Sequence, residues 1–141
     1  MSTPEFLNSL SVKRKVYFSL FFIFLSSCSS APSRQERKGI PENSEFIERG
    51  GASFYADHYA GKKTASGELY SPKSLTAAHK TLSFGTILIV KKTGSDKTVK
   101  VKVNDRGPFS GSRIIDLSRA AAETLGIIQQ GVAEVEIYRI P

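Results

Sequence analysis

The sequence predicts an all-β fold for residues 49–141, a small barrel or a sandwich. Three observations carry this. Thr86 to Lys92 (TILIVKK) and Thr98 to Val103 (TVKVKV) are strand-like runs joined by Thr93-Gly94-Ser95-Asp96, a hairpin connection. Ala133, Val135 and Ile137 alternate with Glu134, Glu136 and Tyr138, which gives a last strand two distinct faces. Helical segments are few and short. Periodicity alone does not choose between barrel and sandwich.

In chain order, the domain opens with Gly51 to Ala56 (GASFYA), a small and aromatic strand at the Gly50-Gly51 pair. Pro72 to His79 predicts a helical turn or two, with Ser71 as cap and Pro72 at the first helical position. Thr86 to Lys92 is nearly all apolar, which suits a strand buried on both faces. In the next strand Val99, Val101 and Val103 point one way, and Thr98, Lys100 and Lys102 the other. Arg113 to Leu117 (RIIDL) is a short fourth run. Ser118 then caps a helix over Arg119 to Leu125, closed by Gly126.

The front of the chain reads differently. Lys13, Arg14 and Lys15 precede a ten-residue run, VYFSLFFIFL, and then Ser26, Ser27 and Cys28. A basic cluster, a short apolar stretch and a small-residue exit make a secretory signal over residues 1–27. The run is about half the ~20 apolar residues that a spanning helix needs. Residues 28–48 are rich in Ser, Pro and charge and read as a tether.

The 141 residues carry 20 Lys and Arg against 13 Asp and Glu, a net charge of +7. Removal of residues 1–27 takes away Lys13, Arg14, Lys15 and Glu5 and leaves about +5. The surplus points to an anionic partner. Export makes nucleic acid an unsuitable one, and leaves anionic glycan or lipid headgroups. One cysteine excludes an internal disulfide framework and a cysteine-only zinc site, and two histidines leave little for a His-rich metal site. No metal and no organic cofactor is indicated.

Three polar clusters interrupt the apolar runs: Lys62 to Tyr70 (KKTASGELY), Thr76 to His79 (TAAH) and Asn104 to Phe109 (NDRGPF). Each also reads as ordinary turn or cap chemistry. The third is the most informative, because Asp105 follows directly on a strand of inward valines and Gly107-Pro108 then turns the chain. Strand ends on a rigid scaffold are good places for catalytic groups. Asp105 and Arg106 are neighbours and in an extended chain point to opposite sides.

These motifs together resemble the rare lipoprotein A (RlpA) family. G-x-AS-x-Y, TASGE, LTAAH, LSFGT, VNDRGPF and RIIDLS-x-AAA occur in that order over roughly residues 50–141. Leu25-Ser26-Ser27-Cys28 resembles a bacterial lipobox, in which the cysteine becomes the lipidated first mature residue. Two or three acyl chains anchor firmly, at about 0.8 kcal/mol per buried methylene. Ser29 stands where a retention signal would have Asp, which by analogy favours the outer membrane.

The resemblance implies a six-stranded double-psi β-barrel with short helices, and a periplasmic septal lytic transglycosylase. Such enzymes act on peptidoglycan glycan strands, cleave between N-acetylmuramic acid and N-acetylglucosamine, and leave a 1,6-anhydro end. It implies Asp105 as principal acid/base, with Glu68 and His79 lining the same site, and division-site proteins as partners. Thr64, Ser66, Asn104 and Arg106 are candidates to hydrogen-bond sugar hydroxyls and N-acetyl groups. Tyr55 and Tyr70 are candidates to stack on sugar faces. Asp116 reads as a structural carboxylate. Many members add a C-terminal sporulation-related repeat domain, which is not expected here, since the barrel motifs run to the end at Pro141. The rival reading is a non-catalytic glycan binder of expansin type, in which the same residues bind without cutting.

Overall fold

The computed structural model describes residues 38–141. The signal, Cys28 and the tether up to residue 37 lie outside the described residues. Six strands, β1 (Glu45–Phe54), β2 (Thr76–His79), β3 (Ile87–Lys92), β4 (Thr98–Asp105), β5 (Arg113–Leu117) and β6 (Ala133–Arg139), close into a barrel in the order β1-β5-β2-β4-β3-β6. The pairs β1–β5 and β2–β4 are parallel, and the other four are antiparallel. Closure leaves no free sheet edge.

The valine alternation of β4 turns inward as the sequence predicts. Val101, Val103, Leu88, Val90, Ile115, Leu117, Val135 and Ile137 fill the barrel and are almost fully buried. Each such side chain contributes about 1.5–3 kcal/mol through burial. The double-sided character of β3 is also seen. Leu88 and Val90 face the barrel core, while Ile89 lies in a second cluster with Ile40, Tyr138 and Ile140.

The helix α1 (Arg119–Leu125) forms where Ser118 caps it by accepting from the Ala121 amide at 3.3 Å. Gly126, at φ 71°, ends it in the left-handed conformation that glycine adopts without a Cβ penalty. Its buried face, Ala121, Ala122 and Leu125, joins the core. At Gly50 a Cβ would lie 2.7 Å from an Ile114 methyl carbon, so the approach of β1 to β5 requires glycine there.

Two expectations are corrected. The helix predicted over Pro72 to His79 is absent: residues 71–74 form a turn, and Thr76–His79 is β2, with all four residues buried. β2 lies between β4 and β5, and its backbone bonds to both, which a short helix could not do. The two alanines are small enough for its crowded position. The barrel also starts before residue 49. β1 begins at Glu45, and Ile40 is buried, although the polar composition of 38–48 reads as tether.

Candidate functional site

The site is built where β4 leaves its ladder. β2 and β4 pair as Ala77 with Val103 and then Ala78 with Asp105, so β4 carries one extra residue, Asn104. Strict alternation would send Asp105 to the core face after Val99, Val101 and Val103. The bulge re-aims it. Asp105 becomes half-buried while Asn104 is buried.

Three neutral donors hold the Asp105 carboxylate. Its Oδ2 accepts from the Tyr55 hydroxyl at 2.6 Å. Its Oδ1 accepts from the Ala65 and Arg106 amides, both at 2.8 Å. Burial, and then the Asp105 carboxylate, push the Tyr55 phenol well above its ordinary range, so it stays protonated and donates. Tyr55 comes from the chain just after β1, Ala65 from the loop before β2, and Arg106 from the residue after β4. Three separate segments thus converge on one carboxyl group.

Asp105 opens onto a cleft of about 610 Å³ between the β1–β2 and β4–β5 connections. Tyr55, Arg106, Tyr59, Phe109, Arg113 and Asp116 are among the residues that line it. Asp116 accepts from Ser53 at 2.5 Å and from Arg113 at 3.0 Å, the structural bonding expected of it. The Arg106 side chain points away from its neighbour's carboxyl, as the extended chain requires. It donates to the carbonyls of His79 at 3.2 Å and Leu82 at 2.8 Å and stacks 3.9 Å over the Phe84 ring.

Glu68 lies in the exposed loop before β2 and is not among the residues that line the cleft. It accepts from Lys102 at 2.8 Å and from the Asn104 side-chain amide at 2.9 Å. Those two bonds, the Lys102 one first, hold its carboxyl below the usual range. Asn104 is bound at both ends of this arrangement, because its carbonyl accepts from the Ser66 amide at 3.2 Å. Thr64 and Ser66 build the loop itself. The Thr64 hydroxyl donates to the Glu68 carbonyl at 3.0 Å and lies 3.0 Å from the Ser66 hydroxyl.

His79 is only 3% exposed, and both ring nitrogens are engaged. Nδ1 accepts from the Thr81 and Leu82 amides at 3.2 and 3.1 Å, and Nε2 lies 2.8 Å from Glu48. A ring that accepts at Nδ1 carries its proton on Nε2 and donates it to Glu48. Its connection to Asp105 runs through Arg106, which its carbonyl holds.

The two tyrosines expected to stack on sugar serve otherwise. Tyr70 is 5% exposed, packs against Tyr55 at 4.8 Å and accepts from the Arg119 amide. Tyr55 has that face covered and commits its hydroxyl to Asp105. Tyr59 and Phe109 also line the cleft, and both are more exposed than Phe54 and Tyr55 beside them. Neither was singled out by the sequence reading, although an aromatic directly after Gly107-Pro108, outside any strand, is a usable signal.

A closed six-stranded barrel with two parallel pairings, carrying a carboxylate at a bulged strand end beside an open cleft, defines a double-psi β-barrel protein. The family model described as lytic transglycolase matches residues 47–137. The chain belongs to this RlpA-like lytic transglycolase family, as its motifs imply. It is 49% identical over 106 residues to the endolytic peptidoglycan transglycosylase RlpA of Neisseria meningitidis serogroup A, covering 74% of this chain and 44% of that protein. The Haemophilus influenzae protein of the same name is 46% identical over 96 residues, covering 68% and 33%. The chain thus spans less than half the length of these relatives. Among solved structures, a Clavibacter michiganensis expansin mutant in complex with cellohexaose aligns with TM-score 0.53 at 19% identity, covering 66% of this chain and 50% of that one. A Streptomyces papain inhibitor aligns with TM-score 0.51 at 23% identity, covering 67% and 94%. These two share the fold.

Proposed function

We propose that this chain is an endolytic peptidoglycan lytic transglycosylase, with Asp105 as its acid and base. The observation that carries the reading is the Asp105 carboxyl group, held from three sides by neutral donors, at the wall of an open cleft. Family membership supports it, as do relatives named for this activity.

A hydrolytic glycosidase normally needs two carboxyl groups, since water must be activated opposite the acid. A lytic transglycosylase needs one. Protonated Asp105 gives its proton to the glycosidic oxygen as the bond from muramic C1 breaks. The carboxylate then takes the proton of the C6 hydroxyl as that oxygen bonds to C1. The proton count closes and no water enters the product. Proton transfer of this kind contributes roughly 10²–10⁴-fold in rate. The Tyr55 hydroxyl fixes the carboxyl plane throughout. Glu68, with Lys102 and Asn104, orders the loop that supplies the Ala65 amide and offers polar groups to the sugar. His79 positions Arg106 and the chain after β4.

We further propose that Cys28 is lipidated and holds the domain at the periplasmic face of the outer membrane, near the division septum. The lipobox-like Leu25 to Cys28, with Ser29 after it, supports this. Labelling of the expressed protein with a palmitate analogue, lost in Cys28→Ala, tests the anchor.

The activity is tested by incubating the purified chain with sacculi and analysing the soluble products by mass spectrometry. Release of 1,6-anhydro muropeptides, abolished by Asp105→Asn, is the expected result. Binding without anhydro products would establish the expansin-like alternative instead.

A further inference from the structure

Two large aromatic side chains line the Asp105 cleft and face solvent. Phe109 is 88% exposed and Tyr59 is 42% exposed. They come from different loops. Tyr59 ends the short 3-10 turn Asp57–Tyr59 that follows β1, and Phe109 lies in the connection from β4 to β5. An exposed phenylalanine on a functional cleft marks a surface that is covered by something else.

Both rings are supported from behind. Tyr59 packs edge-on to Tyr55 at 5.8 Å and against the His58 ring at 4.3 Å, and the Lys62 ammonium lies 4.9 Å from its centroid. Tyr55 in turn rests on the buried Tyr70. Phe109 lies across Gly107, where a Cβ would sit 3.6 Å from its ring. Tyr59 is thus the outer rung of an aromatic stack that begins in the interior and passes the residue bonded to Asp105.

A cleft with apolar aromatic faces and polar groups between them suits one class of occupant. A pyranose ring has an apolar face of axial C–H groups and an equatorial fringe of hydroxyls. The face matches Tyr59 and Phe109, and the fringe matches Asp105, Arg113 and Asp116 on the same lining. A lipid tail would use the aromatic surface but not the carboxylate and guanidinium groups, which suit a ligand with many hydroxyls.

We propose that Tyr59 and Phe109 are the carbohydrate-stacking walls of the cleft, and that they set the register of the glycan strand against Asp105. This deepens the transglycosylase reading and rests on it for the identity of the glycan. The two rings are positioning and specificity residues; neither transfers a proton.

The test uses the full chain carrying Asp105→Asn, so that glycan is bound without turnover, with solubilised peptidoglycan glycan strands as the probe. Phe109→Ala and Tyr59→Ala should each weaken binding about tenfold, the effect of one aromatic contact. Phe109→Trp should restore it, since it keeps a flat face. In the active chain, the alanine variants should raise KM with kcat changed less than threefold, and shift the length distribution of the anhydro products. Binding by Phe109→Ala and Tyr59→Ala within twofold of their parent would overturn the stacking walls while leaving catalysis by Asp105 intact. Binding that depends on both rings, in a chain that releases no anhydro ends, would keep the walls and overturn the catalytic reading. A parent that binds no glycan overturns both.

Discussion

The wall of the cleft and the exposed loop before β2 each hold a carboxylate, and they treat its charge in opposite ways. Asp105, on the wall, is held by a phenol and two backbone amides, and among the described residues it forms no ion pair. Glu68, in the loop, is paired with Lys102 and an amide. Neutral donors fix a carboxyl group in place without pairing it to a counter-charge. A cation neutralises the charge and reserves the group for structure or binding. One residue of difference along β4 decides between the two, because Lys102 and Asn104 reach Glu68 while the bulge sends Asp105 to Tyr55.

The largest test of this division is Asp105→Asn, which keeps the shape and removes the proton. Anhydromuropeptide release should fall by roughly 10²–10⁴-fold with the melting temperature nearly unchanged. A Glu68→Gln variant that lost more than this would invert the division. Tyr55→Phe is next. It removes one hydrogen bond to a charged group, and kcat should drop about tenfold or more with KM held. Glu68→Gln should lower activity about tenfold, chiefly through KM, and the loss in the parent should be reproduced in part by raising salt, which screens the exposed Lys102 contact.

The smallest effect concerns pH. The folded-state pKa of Glu68 is depressed, so its contribution to the loop is present above the ordinary carboxylate range and is lost as pH falls through the lowered folded value. Hydrogen exchange at the Thr64 and Gly67 amides should therefore quicken only in acid, and in Lys102→Ala it should already be quicker at neutral pH.

Much of this was legible in the sequence because the signals were local. β3, β4 and their hairpin show themselves in apolar runs, alternation and a Gly-containing turn. α1 shows itself in its cap and its glycine. β2 was not legible. Four residues with two alanines, after Ser-Pro, carry the local signature of a helix start, and only the two neighbouring strands make them a strand. The start of β1 was hidden because Glu45 and Phe46 are exposed on the barrel's outer surface, so no apolar pattern announces them. The parallel pairs join segments far apart in sequence, which no local pattern reports. Asp105 stood out in the sequence by its place after a strand of inward valines, whereas Glu68 and His79 entered through motif resemblance, and neither of those two lines the cleft. Tyr59 and Phe109 were passed over because what distinguishes them is exposure beside a cleft, which is a property of the fold. Tyr70 was over-read for the converse reason: its burial against Tyr55 is a tertiary fact.

β1 bonds to β5 on one side and to β6 on the other, and it runs from Glu45 to the residue before Tyr55. Its hydrogen bonds lie across the strand, so a pull on the chain ahead of residue 45 loads them in shear and all together. At about 3.3 Å per residue the strand is roughly 30 Å of taut backbone, and its far end carries the hydroxyl that holds Asp105. Tension between whatever holds the upstream chain and a glycan held in the cleft would run along this one strand. A load on the upstream chain would thus reach Tyr55, and through it Asp105, along one strand.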